Sequence, residues 1–126
     1  FILIGSDAWS EGENPAISAL LRQAFADGKP VAGICAGTTA LARAGLFEGR
    51  KHTSNGKDWL EGVVPGYAGS DHYVDTPKAV ADGRVVSASG LAPVTFAAAV
   101  ARLVAPEAEA MIAEYEAVFS REFSRA

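Results

Sequence analysis

Pro30-Val31-Ala32-Gly33-Ile34-Cys35-Ala36-Gly37 is the stretch on which the reading of this chain turns. Its first five residues form a short apolar run suited to a buried strand. Thr38 to Ala44 follow as a small-residue helix that Gly45 caps. Between the two lies Gly33-Ile34-Cys35-Ala36-Gly37, which has the glycine-x-nucleophile-x-glycine form of a nucleophile elbow. In such a strained strand-to-helix turn the neighbours of the nucleophile must be small to avoid clashes. The turn also sets Cys35 at a helix N-terminus, where unpaired N–H groups and the dipole favour an anion. An ordinary thiol is only about 3% ionised at pH 7, and a helix terminus worth ~1 kcal/mol raises that to roughly 15%. A further hydrogen-bond donor or a cation is therefore required, and the spacing does not say which. The competing reading is a buried structural thiol, the commoner fate of a lone cysteine. The elbow context favours the reactive one.

Working outward, Phe1-Ile2-Leu3-Ile4 reads as a buried strand ended by Gly5-Ser6-Asp7. A buried strand at position 1 leads us to expect that something natural precedes it. Asn14 and Pro15 supply an N-cap and a first helical residue. Ile17, Leu20, Leu21, Ala24 and Phe25 then form one apolar stripe, and Gly28 ends that helix. The strand–helix–strand–helix order implies parallel strands with right-handed crossovers, an α/β fold.

Residues 46–78 are less regular and hold both histidines, His52 and His72, with one short helix expected near Trp59 and Leu60. Asp82-Gly83 between Lys78–Ala81 and Arg84–Ala88 predicts a hairpin with a type I′ turn. Pro93 opens a helix with Phe96, Val100, Leu103 and Val104 on its apolar face. Pro106 opens a last one, with Met111, Ile112, Tyr115, Val118 and Phe119 along one side. Trp9 and Trp59 read as core packing.

The 126 residues fit a single domain, 1–126. With a net charge of −4 and scattered basic residues, nucleic acid is not an expected partner. No apolar run approaches the ~20 residues of a membrane span. One cysteine excludes an internal disulfide and a multi-cysteine metal site, and a free thiol suits a reducing, cytoplasmic compartment. Two distant histidines do not suggest a metal centre.

Three segments carry a resemblance. Gly28 to Gly37, then Leu41-Ala42-Arg43-Ala44-Gly45-Leu46 with Gly49-Arg50-Lys51-His52-Thr53-Ser54-Asn55, then Asp82 to Gly90 with Pro93-Val94-Thr95-Phe96-Ala97, are similar in order to the ThiJ/PfpI superfamily signature. That superfamily is class I glutamine amidotransferase-like and includes intracellular proteases and amidases. The resemblance implies a flavodoxin-like three-layer sandwich with a mainly parallel sheet. It implies Cys35 as nucleophile above the strand ends, where open α/β sheets bind ligands. It also implies that a first strand and helix are missing before Phe1, together with the acidic partner of the cysteine that such a section carries. Gly5 and Ser6 fall where the family has a glycine pair, so their N–H groups and that of Ala36 are expected to form an oxyanion pocket. His72 falls near the family's active-site histidine, and Asp75 or Asp71 is its candidate orienter; His52 reads as structural.

The resemblance thus implies a hydrolase or amidase, or a glyoxalase- or deglycase-type enzyme, acting on a small carbonyl or amide compound or a peptide. No cofactor is implied, and a homodimer or larger homo-oligomer is expected. The alternative is a redox sensor or stress-protective protein in which Cys35 oxidises without turnover.

Overall fold

Four short strands, β1 (Ile2–Leu3), β2 (Val31–Ile34), β3 (Val80–Asp82) and β4 (Val85–Ala88), form one sheet in the order β1-β2-β4-β3. This arrangement is seen in a computed structural model that describes residues 1–120. Positions 121–126 of the expected single domain lie outside the described residues. β2 runs parallel to both neighbours, with Leu3 opposite Gly33 and Ile34 opposite Ala88. β3 is antiparallel to β4. Val31, Ala32, Gly33 and every residue of β4 are buried, as expected of strands covered on both faces.

Helices supply the two outer layers. α1 (Pro15–Ala26) and α2 (Thr38–Arg43) cover one face, where Leu21, Leu41, Phe47, Val31 and Val85 share a core that α3 (Lys57–Val63) joins through Leu60. α4 (Pro93–Val104) covers the other face, setting Phe96 against Ala32, Val86 and Ala88. α5 (Glu109–Ser120) packs on α4, not on the sheet, and Arg102 of α4 ties it down through Glu109 at 2.9 Å and Glu116 at 2.8 Å. The fold is the expected α/β sandwich with a mainly parallel sheet. No helix among the described residues is long and apolar enough to cross a membrane.

Local signals explain most boundaries. The Asn14 side chain accepts from the Ile17 N–H at 3.2 Å, and Pro15 opens α1. Gly28, just past α1, takes φ +82°, which a side chain would resist.

Four expectations need correction. Phe1–Ile4 is not a buried strand: β1 is the sheet edge, and Ile2 and Ile4 are 54% and 70% exposed. The hairpin loop is Gly83-Arg84, because Asp82 pairs with Val85, and positive φ falls on Gly83 but not on Arg84. That is the φ pattern of a type II′ turn, not type I′. The stripe of the last helix faces outward: Ile112 is buried, but Met111, Tyr115, Val118 and Phe119 are about half exposed, because among the described residues α5 packs mainly on α4. Leu20 and Val104 likewise lie outside the core.

Candidate active site

Cys35 is where β2 stops and the chain folds back on the sheet. Its φ of +57° makes it the one non-glycine residue with positive φ among the described residues. That conformation costs an L-residue roughly 1–2 kcal/mol. Such strain persists only where surrounding structure over-determines it. Here the determinants are visible. The turn Cys35–Gly37 leads directly into α2. Thr38 Oγ1 donates to the Cys35 carbonyl and Thr39 Oγ1 to the Ala36 carbonyl, each at 2.7 Å. A Cβ on Gly33 would sit 3.0 Å from Gly37 O and from Leu41 Cδ1. One on Gly37 would overlap the backbone of β1, 2.9 Å from the carbonyl carbon of Leu3. Gly37 is therefore a steric necessity, and Gly33 leaves only tight room for a side chain.

The sulfur occupies a niche walled by backbone. A Cβ on Gly90 would come within 3.0 Å of Cys35 Sγ, and one on Gly5 within 3.6 Å of Sγ and 3.2 Å of Cys35 Cβ. Asn55 forms the third wall. Its Nδ2 donates to Sγ at 3.4 Å, and its Oδ1 accepts the Gly90 N–H at 2.9 Å. Cys35 as a whole remains half-buried.

Beneath Asn55 lies a buried polar and aromatic knot. Ser54 Oγ lies 2.6 Å from Thr38 Oγ1, whose proton is committed to Cys35 O, so Ser54 donates. Tyr73 Oη accepts the Ser54 N–H at 3.2 Å and donates to Ser54 O at 3.1 Å. His52 is fully buried and stacks on Phe47 with ring centres 4.2 Å apart. Its Nδ1 is 2.7 Å from the Arg50 carbonyl and so donates, which leaves Nε2 to accept from the Tyr67 hydroxyl. Burial lowers the His52 pKa below 6.5, the Arg50 carbonyl opposes this, and nearby His72 lowers it further. Burial, with Tyr73 and Glu61 nearby, raises the Tyr67 hydroxyl well above its ordinary value. His52 thus supports the site from below, as the sequence reading has it.

The model of the DJ-1/PfpI family matches residues 1–103. The chain belongs to that family. It is 41% identical over 96 residues to the uncharacterized protease YoaZ of Bacillus subtilis, covering 76% of this chain and 45% of that protein. It is 39% identical over 56 residues to the deglycase TK1284 of Thermococcus kodakarensis, covering 36% of this chain and 34% of that protein. Among solved structures, the DJ-1 superfamily protein Atu0886 of Agrobacterium tumefaciens aligns with a TM-score of 0.79 at 35% identity. That alignment covers 97% of this chain and 65% of that one. The thiJ/pfpI family protein of Bacillus anthracis aligns with a TM-score of 0.73 at 41% identity, covering 82% and 49%. The chain spans about half the length or less of the curated relatives it matches.

Within this DJ-1/PfpI fold the expected site residues fall into two groups. Gly5 and Ala36 flank Cys35, in space and in the chain respectively. The Gly5 and Ser6 N–H groups donate to no acceptor among the described residues, and the Ser6 side chain accepts the Ala8 N–H at 3.3 Å. His72, Asp71 and Asp75 form the second group. All three are exposed, and among the described residues no hydrogen bond joins His72 to Cys35 or to either aspartate. What ties this segment to the site is backbone. A parallel bridge pairs His52 with Tyr73, and the Val74 N–H donates to His52 O at 2.8 Å. Asn55 was quoted in the sequence motif but given no role there. Nothing local marks it, because its two partners lie 20 and 35 residues away.

Proposed function

We propose that the protein is a cysteine-dependent enzyme acting on a carbonyl or amide, of hydrolase/amidase or glyoxalase/deglycase type. The observation that carries this reading is the strained φ of +57° at Cys35, with a glycine-walled sulfur facing an amide donor. Strain of this kind in an accessible nucleophile is a functional signature. The names of the relatives, protease and deglycase, support the same class.

In the amide case the Cys35 thiolate adds to the carbonyl carbon, and the C=O π pair moves onto oxygen. The N–H groups of Gly5 and Ser6, which meet no acceptor among the described residues, are with that of Ala36 the proposed donors to that oxyanion. Collapse breaks the C–N bond, His72 protonates the departing amine, and water then cleaves the thioester. With an α-dicarbonyl the same addition, with a proton added to the oxyanion, gives a hemithioacetal. His72 moves the C–H proton to the adjacent carbonyl carbon, and water cleaves the resulting α-hydroxy thioester to a 2-hydroxy acid and frees Cys35. Asp75 is the assigned orienter of His72.

Two measurements test this. Cys35 is expected to react with iodoacetamide at pH 6 faster than a free model thiol. A panel of α-dicarbonyls, amides and peptides is expected to contain a substrate whose turnover Cys35→Ser abolishes. Labelling no faster than the free thiol, with no turnover across the panel, would overturn the enzyme reading.

A further inference from the structure

The geometry points to Asn55 as the positioning residue of the site: one carboxamide that holds the Cys35 sulfur and the Gly90 loop at once and favours the sulfur as an anion. This inference rests on the nucleophile reading above.

The orientation of the carboxamide is not arbitrary. The Gly90 N–H can only donate, and it lies 2.9 Å from one end of the amide, so that end must be Oδ1. The NH2 end therefore faces Sγ, at 3.4 Å. A donor aimed at sulfur is poorly matched by a thiol and well matched by a thiolate, because hydrogen bonds to ionised acceptors are about twice as strong. Asn55 is thus the donor that the helix terminus alone leaves wanting.

The same side chain fixes the shape of the niche. Loop Ser89–Ala92 closes on itself through the Ala92 N–H to Ser89 O at 3.1 Å. Asn55 pins this loop so that Gly90, where a Cβ would sit 3.0 Å from Sγ, stands directly against the sulfur. Gly90 therefore spends its N–H on Asn55, which leaves oxyanion binding to the opposite wall at Gly5 and Ser6. Below, Asn55 is anchored by its neighbour Ser54, which reaches the elbow through Thr38. One segment therefore sets the turn and the sulfur together.

Asn55→Asp separates the two roles. The carboxylate still accepts from Gly90 N–H, but it offers Sγ no donor and places a negative charge beside it. Asn55→Ala removes both contacts. The probe is iodoacetamide alkylation of Cys35 followed by intact mass across pH 5–9, with thermal unfolding of each variant alongside. The expected result is a rate at pH 6 that falls roughly tenfold in Asn55→Asp and about fivefold in Asn55→Ala, with both pH profiles displaced upward. Asn55→Asp is expected to unfold close to the wild-type temperature. If Asn55→Asp alkylates like wild type at every pH, Asn55 serves only to tie the loop and the inference is wrong. Should Asn55→Asp not fold, Asn55→Ala decides the matter on the same profile. Wild type against the free model thiol tests the nucleophile reading separately, so the two failures are told apart.

Discussion

The elbow and helix α5 stand at opposite extremes of specification. At the elbow, Gly37 leaves no room for a methyl group, Gly33 and Gly90 would set one only 3.0 Å from a neighbour, and two threonine hydroxyls fix two successive carbonyls. In α5 a single residue, Ile112, is buried, and Tyr115 stacks on Phe119 in the open, ring centres 5.8 Å apart. One region is crowded enough to hold a residue in a costly conformation; the other is held by a strip of contacts and two ion pairs of Arg102. The contrast teaches that strain at Cys35 is a property of its surroundings, and mutation can measure it.

The largest effect is expected at Gly37. Gly37→Ala drives a methyl into the β1 carbonyl and should cost about 3 kcal/mol or more in urea unfolding, at the upper end of overpacking penalties. Gly62 is the control. It lies in α3 with open space where a Cβ would sit, so Gly62→Ala should be neutral or stabilising by about 0.5–1 kcal/mol. Similar losses at both glycines would break the comparison.

The knot under the elbow comes next, through pH. Burial holds His52 neutral in the fold, so the unfolded chain binds that proton more readily. Stability from His52 is thus present in full above pH 6.5 and is lost as pH falls below it. For one proton the slope cannot exceed about 1.4 kcal/mol per pH unit. Unfolding free energies of wild type and His52→Gln between pH 7.5 and 5 should converge as pH falls. Parallel curves would show that His52 takes no part.

A smaller effect isolates the strain itself. Glycine takes φ +57° without strain and alanine bears the cost of any L-residue there, while both lack the sulfur. Cys35→Gly should therefore be more stable than Cys35→Ala by about 1 kcal/mol in the same denaturant assay. If alanine is the more stable, the turn is relaxed and the strain argument fails.

What the sequence alone revealed follows the same division. The elbow was legible because sterics dictate residue identity at Gly33 and Gly37 and leave a pattern. The N-cap at Asn14 was legible because its partner is three residues away. Asn55 was not, because its role exists only once β2 and the loop after β4 are brought together. The direction of the α5 stripe was hidden for a related reason. Helical periodicity says that Met111, Tyr115, Val118 and Phe119 share a side, but not whether a partner stands opposite. The one-residue shift of the hairpin arose because Asp82 keeps its pairing with Val85. Its carboxylate also accepts the Lys51 N–H at 2.8 Å, a contact no turn rule contains.

The smallest effect belongs to the open end of the contrast. Tyr115 is 57% exposed, and its main described contact is the ring of Phe119. Replacing it with alanine removes little area from an interior and leaves no cavity. Tyr115→Ala should therefore change the unfolding free energy by no more than about 0.5 kcal/mol, the range of ordinary surface substitutions. Ile112→Ala, on the buried side of the same helix, should cost about 2 kcal/mol or more, because its side chain is removed from a closed environment. The difference between these two neighbouring positions measures how firmly α5 is attached. A loss above 2 kcal/mol at Tyr115 would mean that its outward face is covered in solution, and the comparison with the elbow would then need redrawing around that contact.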